Sequence, residues 1–361
     1  MLAHPDRGVA RRPRNRAPCG AVALDAQPRR CCDCPHPVAR IHRSSSTAPA
    51  GRGTRHAEPV LDDISDLVFR PALQAAGITD DELRRLRAQR RLTVVRRGAY
   101  VPSADPRLDD AVARHALVVR AATRTMSPHA VASHVSAAAL HGLVLWDVAL
   151  DRVHVTRNRR SGGRRTKVLH VHTAGLDVDE VVEVDGVAAT SVPRTLADLA
   201  RTLPFEQALV VADAALHGHR ATPAAFAEAV ARAAGREGSP PARRVLAAAD
   251  IRVESPGETR SRVAIARARL PPPVLQHHVP ELGVRTDFYW EEFRTVGEFD
   301  GRMKYGRRLR PGEDPGEAVY REKRREDALR DLGLQVVRWT WDELSPFDAP
   351  AERLRRAFAR S

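Results

Sequence analysis

RTDFYWEEFRTVGEFDG, Arg285–Gly301, is the stretch on which the reading of this chain turns. Residues 285–292 and 294–301 form two short runs rich in aromatic and β-branched residues around a tight turn, the pattern of a β-hairpin. Asp287 lies on the first strand. On the second, Val296, Glu298 and Asp300 alternate with Gly297 and Phe299, so the two-residue period of a strand projects Glu298 and Asp300 from one face. Three carboxylates can therefore converge. Crowded like charges repel unless something positive lies between them, and oxygen ligands of this kind suit a hard cation, Mg²⁺ or Mn²⁺. Lys304, one of only three lysines in the chain, follows within GEFDGRMKYG, Gly297–Gly306. The alternative is an acidic hairpin that merely protects a strand edge.

Taken with the upstream ESPGETRSR, Glu254–Arg262, and the downstream YREKRREDALRDLGLQVVRWTWDEL, Tyr320–Leu344, the segment resembles the very-short-patch-repair-type branch of the PD-(D/E)XK nuclease superfamily over residues 251–361. The resemblance implies a restriction-endonuclease-like α/β fold in which Glu258 is the helical acid, Asp287 the first-strand acid and Glu298 the second-strand acid. Where that superfamily carries a lysine two residues on, this chain has Asp300. Three readings stand. In the first, Asp300 joins Asp287 and Glu298 as a metal ligand while Lys304, or Lys323 on the following helix, supplies the cation. In the second, Arg325 contacts the substrate phosphate, since a guanidinium binds phosphate well but shuttles protons poorly. In the third, the site is degenerate and binds DNA without cutting it. An active site would use bound Mg²⁺ to acidify a water and neutralise charge on the scissile phosphate.

The flanks suit a layered α/β unit. Val319, Lys323, Glu326, Leu329 and Leu332 recur at helical spacing up to Gly333, a C-cap candidate. LQVVRWTW then reads as a buried strand, with a closing helix after Pro350 and with Trp339 and Trp341 as packing residues.

Toward the front, DLVFRPALQAAG, Asp66–Gly77, reads as a helix ending at glycine, and Thr79 with Glu82 as a capping box opening a second helix. LTVVRRGAYV follows as a hairpin tipped by Arg96, Arg97 and Gly98. Helix, turn, basic helix and basic hairpin make residues 58–103 a winged helix-turn-helix. Arg84, Arg85, Arg87, Arg90 and Arg91 would meet phosphates and guanine edges, and Arg96 and Arg97 a neighbouring groove. A small protein-interaction domain with solvated arginines is the competing reading.

SHVSAAALHGL, Ser133–Leu143, and TSVPRTLADLAR, Thr190–Arg201, follow in that order, and residues from Leu61 to about Leu216 resemble the AbiEi antitoxin family of type IV toxin-antitoxin systems. The resemblance implies DNA-binding autorepression and, for an α+β middle domain at 104–235, scaffolding or neutralisation of a cognate toxin. His134 and His141, seven residues apart on one helical face, allow a metal or acid-base role, but beside an alanine run they read as core or helix-capping residues. DRVHVTRNRRSGGRRTKVLHVHTA reads as two strands joined by a basic loop, 157–167, and Arg194 with Asp198 as an intrahelical ion pair. Gly, Ser and Pro mark 236–250 as a linker or connecting helix.

The chain has 361 residues, 43% of them hydrophobic, with a net charge of +14 and a pI near 10.8. That length fits several domains, the charge fits a polyanionic partner, and no apolar run approaches a membrane span. Residues 1–57 carry eleven Arg against three Asp and no Lys or Glu, so more than half the excess charge sits in a segment that reads as disordered. That segment also holds all four cysteines, Cys19, Cys31, Cys32 and Cys34, in a spacing that fits no standard zinc pattern. The cysteine-free body fits a reducing cytoplasm. The combined expectation is a multidomain α/β protein that binds DNA and hydrolyses it with Mg²⁺ (or Mn²⁺) in phage or mobile-element defence. The alternative is an antitoxin or autorepressor retaining an inactive nuclease fold.

Overall fold

A computed structural model describes residues 66–159, 161–301 and 315–360. The expectations for residues 1–57 and for Lys304 lie outside them. The described residues mix helices with three separate sheets. Among them no helix is long and apolar enough to cross a membrane.

Pro71 decides where the first helix begins. The segment read as one helix from Asp66 divides: Val68–Phe69 is β1, paired antiparallel with Tyr100 and Ala99, and α1 spans Arg70–Ala75 with Pro71 in its first turn. Proline has no N–H to give to a preceding turn but is preset for a helix start, so helix cannot extend back through Val68. Thr79 Oγ1 accepts from the Glu82 N–H at 3.2 Å and starts α2, Asp80–Ala88. β2 (Leu92–Arg96) and β3 (Ala99–Pro102) form the hairpin read from the sequence and complete a sheet of order β1-β3-β2. Leu73, Ile78, Leu83, Leu86, Leu92 and Tyr100 close the small core beneath it.

The next region is a six-stranded sheet covered by helices. α3 (Ala111–Thr123) leads to β4 (Ala130–Ala132), α4 (His134–Leu140), β5 (Val153–Arg157), β6 (Arg164–Arg165), β7 (Leu169–Thr173), β8 (Val181–Val184) and β9 (Val187–Thr190). The strand order is β6-β7-β5-β4-β9-β8. The two strands read around the basic loop are β5 and β7, which pair in parallel, while β6 turns back antiparallel to β7. His141 Nε2 meets the Thr190 carbonyl at 2.8 Å. His134 is buried instead against a group of partly buried histidine rings described below.

Four helices follow: α5 (Val192–Thr202), α6 (Phe205–His217), α7 (Pro223–Arg232) and α8 (Ser239–Ala248). The stretch read as a linker or connecting helix holds α8, whose Ala242 and Val245 are buried in one core with Leu196, Leu209 and Phe226. Its prolines occupy the first helical turn, where a missing N–H costs nothing. Arg194 and Asp198 form the expected ion pair at 3.0 Å, buried and joined by Glu180 at 2.6 Å.

The last region is α9 (Pro256–Arg267), β10 (Val274–Val279), β11 (Val284–Trp290), β12 (Thr295–Asp300), α10 (Pro315–Asp331), β13 (Gln335–Thr340) and α11 (Asp348–Phe358). Its sheet runs β10-β11-β12-β13, antiparallel until β13, which lies parallel to β12 after the α10 crossover. Ile265, Phe288, Trp290, Phe299, Trp339 and Leu354 fill one side of the sheet, and Val296, Leu329 and Leu334 the other. Trp339 is fully buried and donates to Ser261 Oγ at 2.8 Å, in keeping with a packing role. The closing helix starts before Pro350, at Asp348, and takes the proline into its first turn.

Candidate functional site

Asp287 stands where the sheet opens. β10 and β11 pair from Val274↔Tyr289 to Val279↔Val284 but skip one position, the one that sets Gln276 opposite Asp287. On the other side, the β11–β12 pairing stops at Phe288↔Gly297, one step before Asp287 would meet Glu298. The Asp287 carboxylate takes over the ladder's work there, with Oδ2 accepting from the Phe299 N–H at 2.8 Å. Gln276 adopts a left-handed φ of +53° and turns its Nε2 to Glu258 Oε2 at 2.8 Å.

Glu258 reaches this point because α9 can lie very close to β12. A Cβ on Gly257 would fall 1.9 Å from Phe299 Cε1, so only glycine permits the contact. Ser255 caps the helix, and its hydroxyl and the Glu254 N–H both donate to the Glu258 carboxylate, at 2.7 and 3.0 Å. Burial, then the neighbouring Asp287 charge, raises the Glu258 pKa against these hydrogen bonds. Two acids from a helix and a strand therefore share one electrostatic environment.

Glu298 is buried on β12, and Arg325 Nη2 from α10 donates to its Oε1 at 2.9 Å and to the Arg285 carbonyl at 2.6 Å. The strand is pinned at the preceding residue: a Cβ on Gly297 would lie 2.6 Å from Trp339 and 3.0 Å from Trp290. Asp300 is half exposed and pairs with Arg338 at 3.2 Å. Lys323 is exposed on α10, two residues before Arg325. Among the described residues, Arg325 is thus the cation in contact with Glu298.

The charges of Glu258 on α9 and Asp287 on β11 act on each other, Glu298 on β12 is engaged by Arg325, and among the described residues the three acids do not form one group of ligand atoms. Asp287, Glu298 and Asp300, read from the sequence as three ligands of one Mg²⁺, do not make a closed ligand group among the described residues. Each is held by a protein donor: Phe299 N–H holds Asp287, Arg325 holds Glu298 and Arg338 holds Asp300. Hard oxygen donors of this kind fit Mg²⁺ chemically, and gathering them requires Glu298 and Asp300 to give up arginines. Gln276 and Ser255 escaped the sequence reading. The run Val274–Val279 after three prolines was the signal for β10, but nothing local shows that Gln276 faces Glu258.

At the front, Arg84, Arg87, Arg96 and Arg97 line a groove of about 980 Å³ between α2 and the hairpin, with Arg124 from α3. Leu83 and Leu86 face the core, which turns Arg84, Arg85 and Arg87 outward. Arg90 and Arg91 are exposed just beyond the helix and are not part of the groove wall. Arg84 also pairs with Asp81.

The uncharacterized protein Rv2248 of Mycobacterium tuberculosis strain H37Rv is 32% identical over 220 residues, which span 59% of this chain and 74% of that protein. The uncharacterized protein MT2308 of strain CDC 1551 matches to the same extent. No family model matches the chain.

Proposed function

The chain belongs to the family of these mycobacterial proteins, and we propose that it is a cytoplasmic DNA-binding protein whose C-terminal α/β region is a metal-dependent DNA endonuclease of the PD-(D/E)XK type. The observation that carries this reading is the interaction of the Glu258 and Asp287 charges where β11 and β12 separate, with Arg325 on the buried Glu298 of the neighbouring strand. Bound Mg²⁺ would supply charge neutralisation and an acidified water. Asp287 and Glu298 would hold the ion, with Asp300 as an added oxygen donor. Glu258, its pKa raised, would accept or hold a proton beside them. Arg325, released from Glu298, would bind a phosphate oxygen of the substrate. The arginines of α2 and the hairpin would grip the duplex as a winged helix, and phage or mobile-element defence is the setting that the two resemblances suggest.

A second reading draws on the ion pairs Glu298–Arg325 and Asp300–Arg338. If those pairs persist on DNA, the region binds without cutting, and the protein acts as an antitoxin or autorepressor. Plasmid, linear and mismatched DNA incubated with the full chain in Mg²⁺, Mn²⁺ or EDTA separates the two. The endonuclease reading expects metal-dependent cutting that Asp287→Ala and Glu298→Ala abolish. Binding without cutting, unchanged by either substitution, would overturn it.

A further inference from the structure

Four histidines stand together over the six-stranded sheet, away from the acidic cluster. The parallel register of β5 and β7 sets His154 beside His170 and Thr156 beside His172, and the two-residue period puts His170 and His172 on one face. β4 is the next strand over, and just past its end Ser133 leads into His134, the first residue of α4. His134 is 5% exposed and has a φ of +53°, a conformation costly to any residue with a Cβ. Ser133 Oγ receives the Thr156 hydroxyl at 2.8 Å and lies 3.0 Å from His134 Nδ1. A hydrogen bond at Nδ1 fixes the ring and leaves Nε2 as its ligating atom.

The rings are in direct contact. His134 stacks on His172 with 3.7 Å between centroids, and His154 Nδ1 lies 3.0 Å from His172 Nε2. One ring nitrogen each from His134, His154 and His172 fall within 4.8 Å of one another. Metal–nitrogen bonds of about 2.0–2.1 Å in a tetrahedral arrangement put ligand nitrogens roughly 3.3 Å apart. The His154–His172 pair already has nearly that spacing, and His134, stacked 13° from parallel on His172, has to rotate as well as approach to complete the set.

We propose that His134, His154 and His172 bind one divalent transition-metal ion of the zinc class. Imidazole nitrogens suit Zn²⁺, Cu²⁺, Ni²⁺ or Fe²⁺ and not Mg²⁺, so the site is chemically distinct from the carboxylates of the nuclease-like region and independent of that reading. Ligation needs the facing nitrogens of His154 and His172 free of protons. The proton joining them in the metal-free protein moves to the far nitrogen of its ring. His134 and His172 line a cavity of about 1080 Å³ together with His170, Arg159, Arg201 and Arg236. Three protein ligands beside a cavity match a metal with an open coordination position rather than a closed structural site. Asp198 and Glu237 line it too, and Arg201 is held by Asp198, which leaves Arg159 and Arg236 as the guanidiniums that favour an anion there.

The test uses the full chain, stripped with EDTA, titrated with Zn²⁺ and with Co²⁺ as the spectroscopic probe. Comparison chains carry His154→Ala, His172→Ala, Asp287→Ala, or Ser in place of Cys19, Cys31, Cys32 and Cys34. Expected are one tightly held Zn²⁺ in the wild type, the Asp287→Ala chain and the cysteine-free chain, and binding at least about 100-fold weaker in each histidine variant. Inorganic phosphate should shift the Co²⁺ bands. No tight binding by the wild type, binding unmoved by the histidine substitutions, or binding lost with the cysteines or Asp287 would each overturn the proposal. Should the histidine variants misfold, zinc-edge X-ray absorption of the wild type decides. Three imidazoles without sulfur support the site, and a sulfur or all-oxygen shell removes it.

Discussion

Replacing Arg194 with methionine removes a nearly fully buried charge from between two buried carboxylates. The arginine side chain is 2% exposed, and its partners Glu180 and Asp198 are 6% and 1% exposed. Its Nη1 donates to Glu180 Oε2 at 2.6 Å and to the Gly175 carbonyl at 3.1 Å, and its Nε to Asp198 Oδ2 at 3.0 Å. Burial raises the Asp198 pKa, and Arg194 and then Arg201 pull it back. In Arg194→Met, Asp198 keeps Arg201 at 3.3 Å, whereas Glu180 loses its arginine and keeps the Asp177 N–H at 3.1 Å. Breaking a buried pair costs about 3–5 kcal/mol. Protonating one stranded carboxylate at about pH 7 costs about 4 kcal/mol, which caps the penalty for each acid. A stranded acid has a folded pKa above its unfolded value, so the unfolded chain releases a proton that the folded variant keeps. Stability of the variant therefore falls relative to wild type as pH rises from about 4 toward that raised pKa, by about 1.4 kcal/mol per pH unit for one acid. Urea unfolding of both proteins at about pH 5 and pH 7, followed by far-UV circular dichroism, should give the larger loss at pH 7. A loss under about 1 kcal/mol at pH 7, or equal losses at both, would refute the argument.

Gly257→Ala puts a Cβ into the Phe299 ring and must push α9 off β12. Thermal unfolding should report about 1–3 kcal/mol of destabilisation, and any Mg²⁺-dependent cleavage should fall because Glu258 moves with the helix. Replacing Arg84 and Arg87 together with alanine should weaken DNA binding similarly on all sequences and flatten the plot of log affinity against log salt by roughly 1–2 units. Fluorescence anisotropy at several salt concentrations reads this, and an unchanged slope would mean that the groove does not hold phosphates. Arg325→Gln should reduce DNA cleavage and also lower stability, since it takes the guanidinium from the buried Glu298 and leaves an amide that can still donate to it, with circular dichroism separating the two effects. Full activity in that variant would remove Arg325 from the site.

Local pattern was enough for the β11–β12 hairpin, for the common face of Glu298 and Asp300 and for the burial of Trp339, because strand period and hydrophobic runs are properties of neighbouring residues. It was enough too for the Thr79 cap and the hairpin tip at Gly98. It failed where a distant partner overrides a local preference. Val68 and Phe69 look like the start of a helix until β3 offers them a strand to pair with. The Pro- and Gly-bearing stretch after Arg236 looks like a spacer until the core under α5 to α7 takes up Ala242 and Val245.

Tertiary structure alone decided which charged and polar groups meet. Gln276 and Glu258 lie 18 residues apart, Arg325 and Glu298 lie 27 apart, and His154 and His172 lie 18 apart. Each of these meetings depends on strand order and register, which no local period encodes. The amino-acid sequence by itself determined where acids, arginines and histidines stand along each element. The packing of α9 onto β12, the crossover of α10 and the parallel pairing of β5 with β7 determined their partners, because burial forces each polar group to find one wherever the fold brings it.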